Sequence, residues 1–297
     1  MKNMFLKLLL VTCLLLFVPE VEAVTISLDY EFRNIFNLEI SKEESIRILE
    51  EEIIKNSQNH NLHFVLGFLY AYLQNDFQKA EKEFVKAIKV KPDYYLSYMN
   101  SGYVILGIDN SRIGEAIAYF KKALKYAPDK SVIYNALAAS YMVQNKPDEA
   151  KNILEEGIKI IDNDESLYFN QALILMKHYQ GTKEQEKVIR NMKRVIKLSP
   201  KEEYFFILGI FYLQKQNNEE SREAFKQTIG MNPKNIYAIL GLATTYKNTN
   251  QYEKAIEIAK QALAIDPENK DIHAEIKEYE EAYKKWKEKQ NSLPVKK

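Results

Sequence analysis

Apolar and polar positions run through this chain with two different periods. Between residues 24 and 32, "VTISLDYEF", apolar Val24, Ile26, Leu28, Tyr30 and Phe32 alternate with Thr25, Ser27, Asp29 and Glu31, which is the period of a strand. From about residue 41 the apolar positions recur every three or four residues, the period of a helix. "SKEESIRILEEEIIKN" offers Ser41 as an N-cap with Glu44 three residues on, predicting a helix within 41–58 that covers the next helical segment. Residues 271 to 290, "DIHAEIKEYEEAYKKWKEKQ", set Ile272, Ile276, Tyr279, Tyr283 and Trp286 on one narrow stripe of a charged helix. That pattern predicts a capping helix over 268–290, with the distal Tyr283 and Trp286 end open to the alternative of holding a partner or a second copy.

Between these ends the pattern repeats. Proline cannot sit in a helix interior, so it marks boundaries. Pro92, Pro128, Pro200, Pro233 and Pro267 fall on one ladder with Asp162 on the missing rung, at steps of 36, 34, 38, 33 and 34 residues. Each rung closes an apolar segment of one shape, from "AEKEFVKAIKVKP" to "AIEIAKQALAIDP", and upstream of each lies a second helical segment such as "YNALAASYMV" or "FFILGIFYLQ". Small residues stand inside these apolar faces, as at Ala138, Ala150 and Gly157. A helix pair of this size cannot bury its own stripe, so pairs must stack, and small residues let the backbones approach.

The chain here resembles the tetratricopeptide repeat family. The family's series of aromatic, Leu, small residue, Tyr, Ala, aromatic, small residue and Pro is matched by Tyr134, Leu137, Ala138, Tyr141, Ala150, Leu154, Gly157 and Asp162. It is matched again by Phe205, Leu208, Gly209, Tyr212, Ser221, Phe225, Thr228 and Pro233. The third series is Leu242, Ala243, Tyr246, Ala255, Ala259, Ala262 and Pro267. The resemblance covers about residues 59 to 267. Departures sit in the turns, around Asn75, at Gly107 to Ser111 and in "HYQGTKEQEK", where a longer loop costs little. The fourth repeat departs most, with Val188, Met192 and Val195 at the small and aromatic positions. The resemblance implies an all-α, right-handed superhelical α-solenoid of about six helix pairs with a C-terminal capping helix.

Composition narrows the function. Of 297 residues, 46% are hydrophobic and only nine are glycine, enough apolar material for a folded body and no Gly-rich phosphate loop. The formal charge of +1 is spread along the chain, so no footprint for nucleic acid is present. "MKNMFLKLLLVTCLLLFVPEVEA", residues 1–23, reads as a signal peptide: Lys2 and Lys7, an apolar run from Leu8 to Val18, and small residues before the cut. The apolar run is much shorter than the roughly 20 residues that span a bilayer, which disfavours a retained anchor. Export to the periplasm or medium is the expectation. The single cysteine, Cys13, falls inside this leader, so the mature chain has no disulfide or thiolate. Residues 24–40 then form an extended arm, read either as a loose remnant of cleavage or as a strand lying in an apolar groove of its own array or of another copy. Residues 291–297 are expected to be a loose tail.

Candidate chemistry is sparse. His60 and His63 share a helical face, but no nearby acidic residue in the sequence completes a metal motif. No nucleophile elbow, P-loop, dinucleotide fingerprint or HExxH is present. The expectation is a protein that is not an enzyme and takes no metal, cofactor or small-molecule substrate.

In the resembled family the first helix of each pair lines a concave surface that receives peptides. Carried onto this chain, the groove would be lined by Phe64, Phe68, Met99, Tyr103, Ala139, Met142, Phe169, Leu173, Met176, Phe206, Ile210, Leu213, Tyr237, Leu240 and Thr244. Some of these positions are expected to pack against the next repeat instead. Asn100, Asn135 and Asn170 recur at 35-residue steps and could hold a peptide backbone, since an amide both donates and accepts. Lys177 and Lys247 are almost the only cations there, so an apolar partner segment fits better than a terminal carboxylate. The function expected is an exported scaffold that docks a peptide or helix of an envelope protein. The alternatives are a non-catalytic regulatory subunit of an envelope enzyme acting on peptidoglycan or polysaccharide, and a self-assembling structural protein.

Overall fold

The computed structural model describes residues 42–179 and 181–291. The leader, the arm, Ser41 and residues 292–297 lie outside the described residues. Every regular element described is helical, and the chain divides between Asp162 and Asn163 into two compact units.

The first unit holds α1 (Lys42–Lys55) and three pairs: α2 (His60–Leu73) with α3 (Phe77–Val90), α4 (Tyr95–Ile108) with α5 (Ile113–Tyr126), and α6 (Ser131–Val143) with α7 (Pro147–Ile160). The second holds α8 (Glu165–His178) with α9 (Thr182–Leu198), α10 (Glu202–Gln214) with α11 (Asn218–Met231), α12 (Ile236–Asn248) with α13 (Tyr252–Ile265), and the closing α14 (Lys270–Asn291). The helix read over 268–290 is thus α14, and it runs one residue further, to Asn291.

Two kinds of helix alternate. In the first helix of a pair apolar residues go nearly all the way round, so that residues 62–71 of α2 and 238–245 of α12 are buried without a break. Such a helix must be enclosed on several sides. The second helix is amphipathic, and in α3 only Ala80, Glu83, Phe84 and Ala87 are buried. The turns inside four pairs carry a residue at φ between 56° and 60°, namely Asn75, Asn145, Gln216 and Asn250. Each reverses the chain in the left-handed conformation, which Asn tolerates and Gln adopts at some cost. The α4–α5 turn is one residue longer, and there a short 3-10 segment over Asn110–Arg112 lets Arg112 reach Glu81 at 2.7 Å.

Where the helices of a pair cross, a small residue on the first stands opposite a residue on the second that is larger in all but one pair. A Cβ at Gly67 would stand 2.9 Å from the Phe84 ring, at Gly102 2.5 Å from Phe120, and at Gly209 2.8 Å from Phe225. The equivalent positions elsewhere are Ala138 with Leu154, Ala172 with Met192, and Ala243 with Ala259, all buried. Glycine stands where the partner is phenylalanine, and alanine where it is not. Gly157 serves the same end from a second helix, lying against the fully buried Tyr134 ring.

Candidate partner-binding face

The first-helix positions differ in how far they are covered. In the first unit Phe64 sits edge-on to Tyr94, centroids 5.3 Å apart, and 5.7 Å from Phe84. Phe68 lies 4.4 Å from Tyr72; Phe64, Phe68 and Met99 are all buried. Tyr103 is half-buried with its ring 5.1 Å from Phe120, and burial pushes its phenol well above the ordinary range. Ala139 and Met142 of α6 are half-buried.

Asn100 is only 1% exposed. Its Nδ2 donates to the Leu96 carbonyl at 2.9 Å, and its Oδ1 accepts from the Tyr72 hydroxyl at 3.2 Å. That hydroxyl is itself pushed up to about 12 by burial. Asn100 therefore ties α4 to α2 and has no free amide edge to offer a peptide, which corrects the three-rung ladder read from the sequence. Asn135 and Asn170 are half-buried and each is engaged within the chain.

In the second unit Phe169 and Leu173 are buried, Phe169 with its ring 4.9 Å from Tyr204. Met176 is half-buried. Phe206, Ile210 and Leu213 form one stripe of α10 at steps of four and three, half-buried and packed by their inner edges against the Phe225 cluster. Tyr237, in the first turn of α12, is 47% exposed. Further along α12 the face closes, because α14 lies on it. Thr244 is buried; its Oγ1 is 2.9 Å from the Leu240 carbonyl and 3.0 Å from the Tyr279 hydroxyl. Leu240 belongs to one core with Ile272, Ile276 and Tyr279. Lys247 pairs with Glu278 at 2.7 Å. Burial raises Glu275 above the ordinary carboxylate range, offset in part by the bond it accepts from Tyr279. Thr244 and Leu240 thus seat the cap, and of the first-helix positions of this unit Tyr237 is exposed while Met176, Phe206, Ile210 and Leu213 are half-buried.

His60 and His63 are occupied otherwise. Both ring nitrogens of His63 are taken, Nδ1 at 2.7 Å from Glu83 and Nε2 at 3.2 Å from the Ser57 carbonyl. Glu83 lies twenty residues away in sequence, beyond the span of any local motif. His60 sits edge-on to Tyr94 at 4.9 Å, and burial, then Lys91, lowers its proton affinity. Among the described residues no group of three side chains could hold a metal ion, and no helix is long and apolar enough to cross a membrane.

Stacked pairs with small residues at each crossing define an α-solenoid repeat protein. Two models described as tetratricopeptide repeat match the sequence, one over residues 108–170 and 212–276 and the other over 65–131, together more than half of the chain. The chain belongs to the tetratricopeptide repeat family. It is similar to human tetratricopeptide repeat protein 6, with 27% identity over 66% of this chain and 37% of that protein. The chain spans about a quarter to two fifths of the length of the curated relatives it matches. Among solved structures, the C-terminal part of a TPR repeat-containing protein from Cytophaga hutchinsonii aligns at a TM-score of 0.69 with 15% identity, over 83% of this chain and 96% of that one. YrrB, described as a TPR protein with an unusual peptide-binding site, aligns at 0.53 with 21% identity, over 65% of this chain and 97% of that one.

Proposed function

We propose that this chain is a protein–protein interaction scaffold without catalytic activity of its own, exported by its leader, which docks an apolar peptide or helix of an envelope partner on the first-helix face. The observation that carries the reading is the α10 stripe. Phe206, Ile210 and Leu213 are spaced to receive the anchors of an amphipathic helix, and Tyr237 stands exposed in the first turn of α12. The peptide-binding site named for YrrB lies on a similar fold and supports the reading by analogy. Apolar anchors in such a groove carry most of the affinity of a docked helix.

A photo-crosslinking residue at Ile210, in the chain expressed with its leader in a bacterial envelope, tests this. The expected result is one foreign protein captured at Ile210 and absent from a control position at Glu223, on the exposed side of α11. Phe206→Asp should remove the adduct. Equal labelling at both positions, or an adduct that survives Phe206→Asp, would reject docking on this stripe.

A further inference from the structure

Among the described helices α9 carries the largest excess of cations. It carries Lys183, Lys187, Arg190, Lys193, Arg194 and Lys197 against only Glu184 and Glu186. Its counterpart α7 carries Asp148, Glu149, Glu155 and Glu156 against two lysines, and α13 balances two acids with two bases. The excess is concentrated on the solvent side. Val188, Asn191, Met192 and Val195 are buried, and the exposed line opposite them runs Lys183, Glu186, Arg190, Lys193, Lys197 at steps of three and four.

Some exposed lysines on other helices meet a carboxylate one turn away, as Lys55 meets Glu52 and Lys79 meets Asp76. Lys183, Arg190, Lys193 and Lys197 enter no ion pair with the described residues. Like charges at such spacing destabilise a helix. The helix dipole compensates Lys197 in the last turn but not Arg190 or Lys193 further in. The ridge thus costs stability and returns none within the fold. It also lies on the helix that the family models pass over, since residues 171–211 fall outside both matches.

We infer that the exposed ridge of α9 is a second docking surface, which takes a carboxylate-rich polypeptide segment of a partner. The cations from Arg190 to Lys197 span about 10 Å at 1.5 Å per residue, so alternate side chains of an extended acidic segment, about 6.6 Å apart on one face, can meet them. Arg190 offers a carboxylate a two-pronged donor set. A bilayer fits less well, because α9 exposes no large apolar side chain to insert and Glu186 sits in the same line. This surface lies on a second helix, apart from the α10 stripe, so it stands or falls independently of the docking proposed there.

The test uses the full chain and a fluorescein-labelled oligoglutamate of about eight residues, long enough to span the ridge, followed by fluorescence anisotropy at low salt. The triple variant Arg190→Glu, Lys193→Glu, Lys197→Glu should lose at least about tenfold in affinity. A matched triple on α5, Lys121→Glu, Lys122→Glu, Lys125→Glu, changes the net charge equally and should stay within about twofold of wild type. Circular dichroism confirms that both variants fold. Equal losses in the two triples would reduce the effect to net charge and overturn the proposal. So would capture of phosphatidylglycerol vesicles by a chain that ignores oligoglutamate.

Discussion

The fourth and fifth pairs of the array occupy the same unit and solve the same packing problem differently. In the fifth, the Phe225 ring fills the crossing and two glycines yield to it: a Cβ at Gly209 would come within 2.8 Å and one at Gly241, on the next pair, within 2.5 Å. In the fourth, Met192 and Ala172 hold the equivalent positions, and beside them Asn191 Nδ2 donates to Gln171 Oε1 at 2.9 Å in a site where both residues are buried. One crossing is closed by an aromatic ring and the other by a smaller apolar pair with an amide bond. The lesson is that the small and large positions are conditional on each other. Phenylalanine demands glycine opposite, as at Gly67 with Phe84 and Gly102 with Phe120, while leucine, methionine or alanine admits alanine.

The largest expected effect breaks the fifth crossing outright. Phe225→Ala removes a fully buried ring, and the two residues that approach it most closely across the crossings, Gly209 and Gly241, have no side chains to move into the space. The cost should be about 3–5 kcal/mol, at the upper end for such truncations. Met192→Ala should cost less, because it removes a smaller side chain. Guanidinium unfolding of the two variants decides it; equal losses would mean that the glycine frame has no consequence.

This difference also explains what the sequence could reveal. The ladder of prolines and the ring-and-glycine crossings follow the family's residue types, so pairs such as α10 with α11 could be read directly. The fourth pair lacks both the aromatic and the glycine, and its Gln171–Asn191 bond joins residues twenty apart whose types alone announce nothing. The face for a partner was legible as a set of positions but not as a surface. Phe64 and Leu240 occupy first-helix sites, yet one is buried among Phe84 and Tyr94 and the other beneath α14, contacts that local periodicity does not encode. Asn100 looked like an amide for a ligand because its partner, Tyr72, is on another helix.

A subtler effect should follow from converting the fifth crossing into the fourth. Gly209→Ala alone sets a methyl group against the Phe225 ring and should cost about 1–3 kcal/mol by overpacking. Phe225→Met alone leaves a gap. Combined, they recreate the Ala172 and Met192 arrangement, and the double variant should be more stable than the sum of the two losses implies, with a coupling of at least about 0.5 kcal/mol. Additive losses in the double-mutant cycle would show that the pairing of glycine with phenylalanine across these repeats is coincidental. Gly241 still faces position 225 from the next pair, so recovery should be partial.

The smallest net effect is expected where the fourth crossing is made apolar. Asn191→Leu by itself leaves the buried Gln171 carbonyl oxygen without this donor, a loss of about 1–3 kcal/mol. Replacing both amides, Gln171→Leu with Asn191→Leu, removes the donor and the acceptor together and fills the site with side chains of similar size. The double variant should then return to within about 1 kcal/mol of wild type, because a hydrogen bond contributes little net once neither group has to be desolvated. If it unfolds as readily as the single variant, the amide pair is not a substitute for the missing ring. Its role would then be to fix the register of α8 against α9, and the repeat that departs most from the family pattern would be held by specificity instead of by packing.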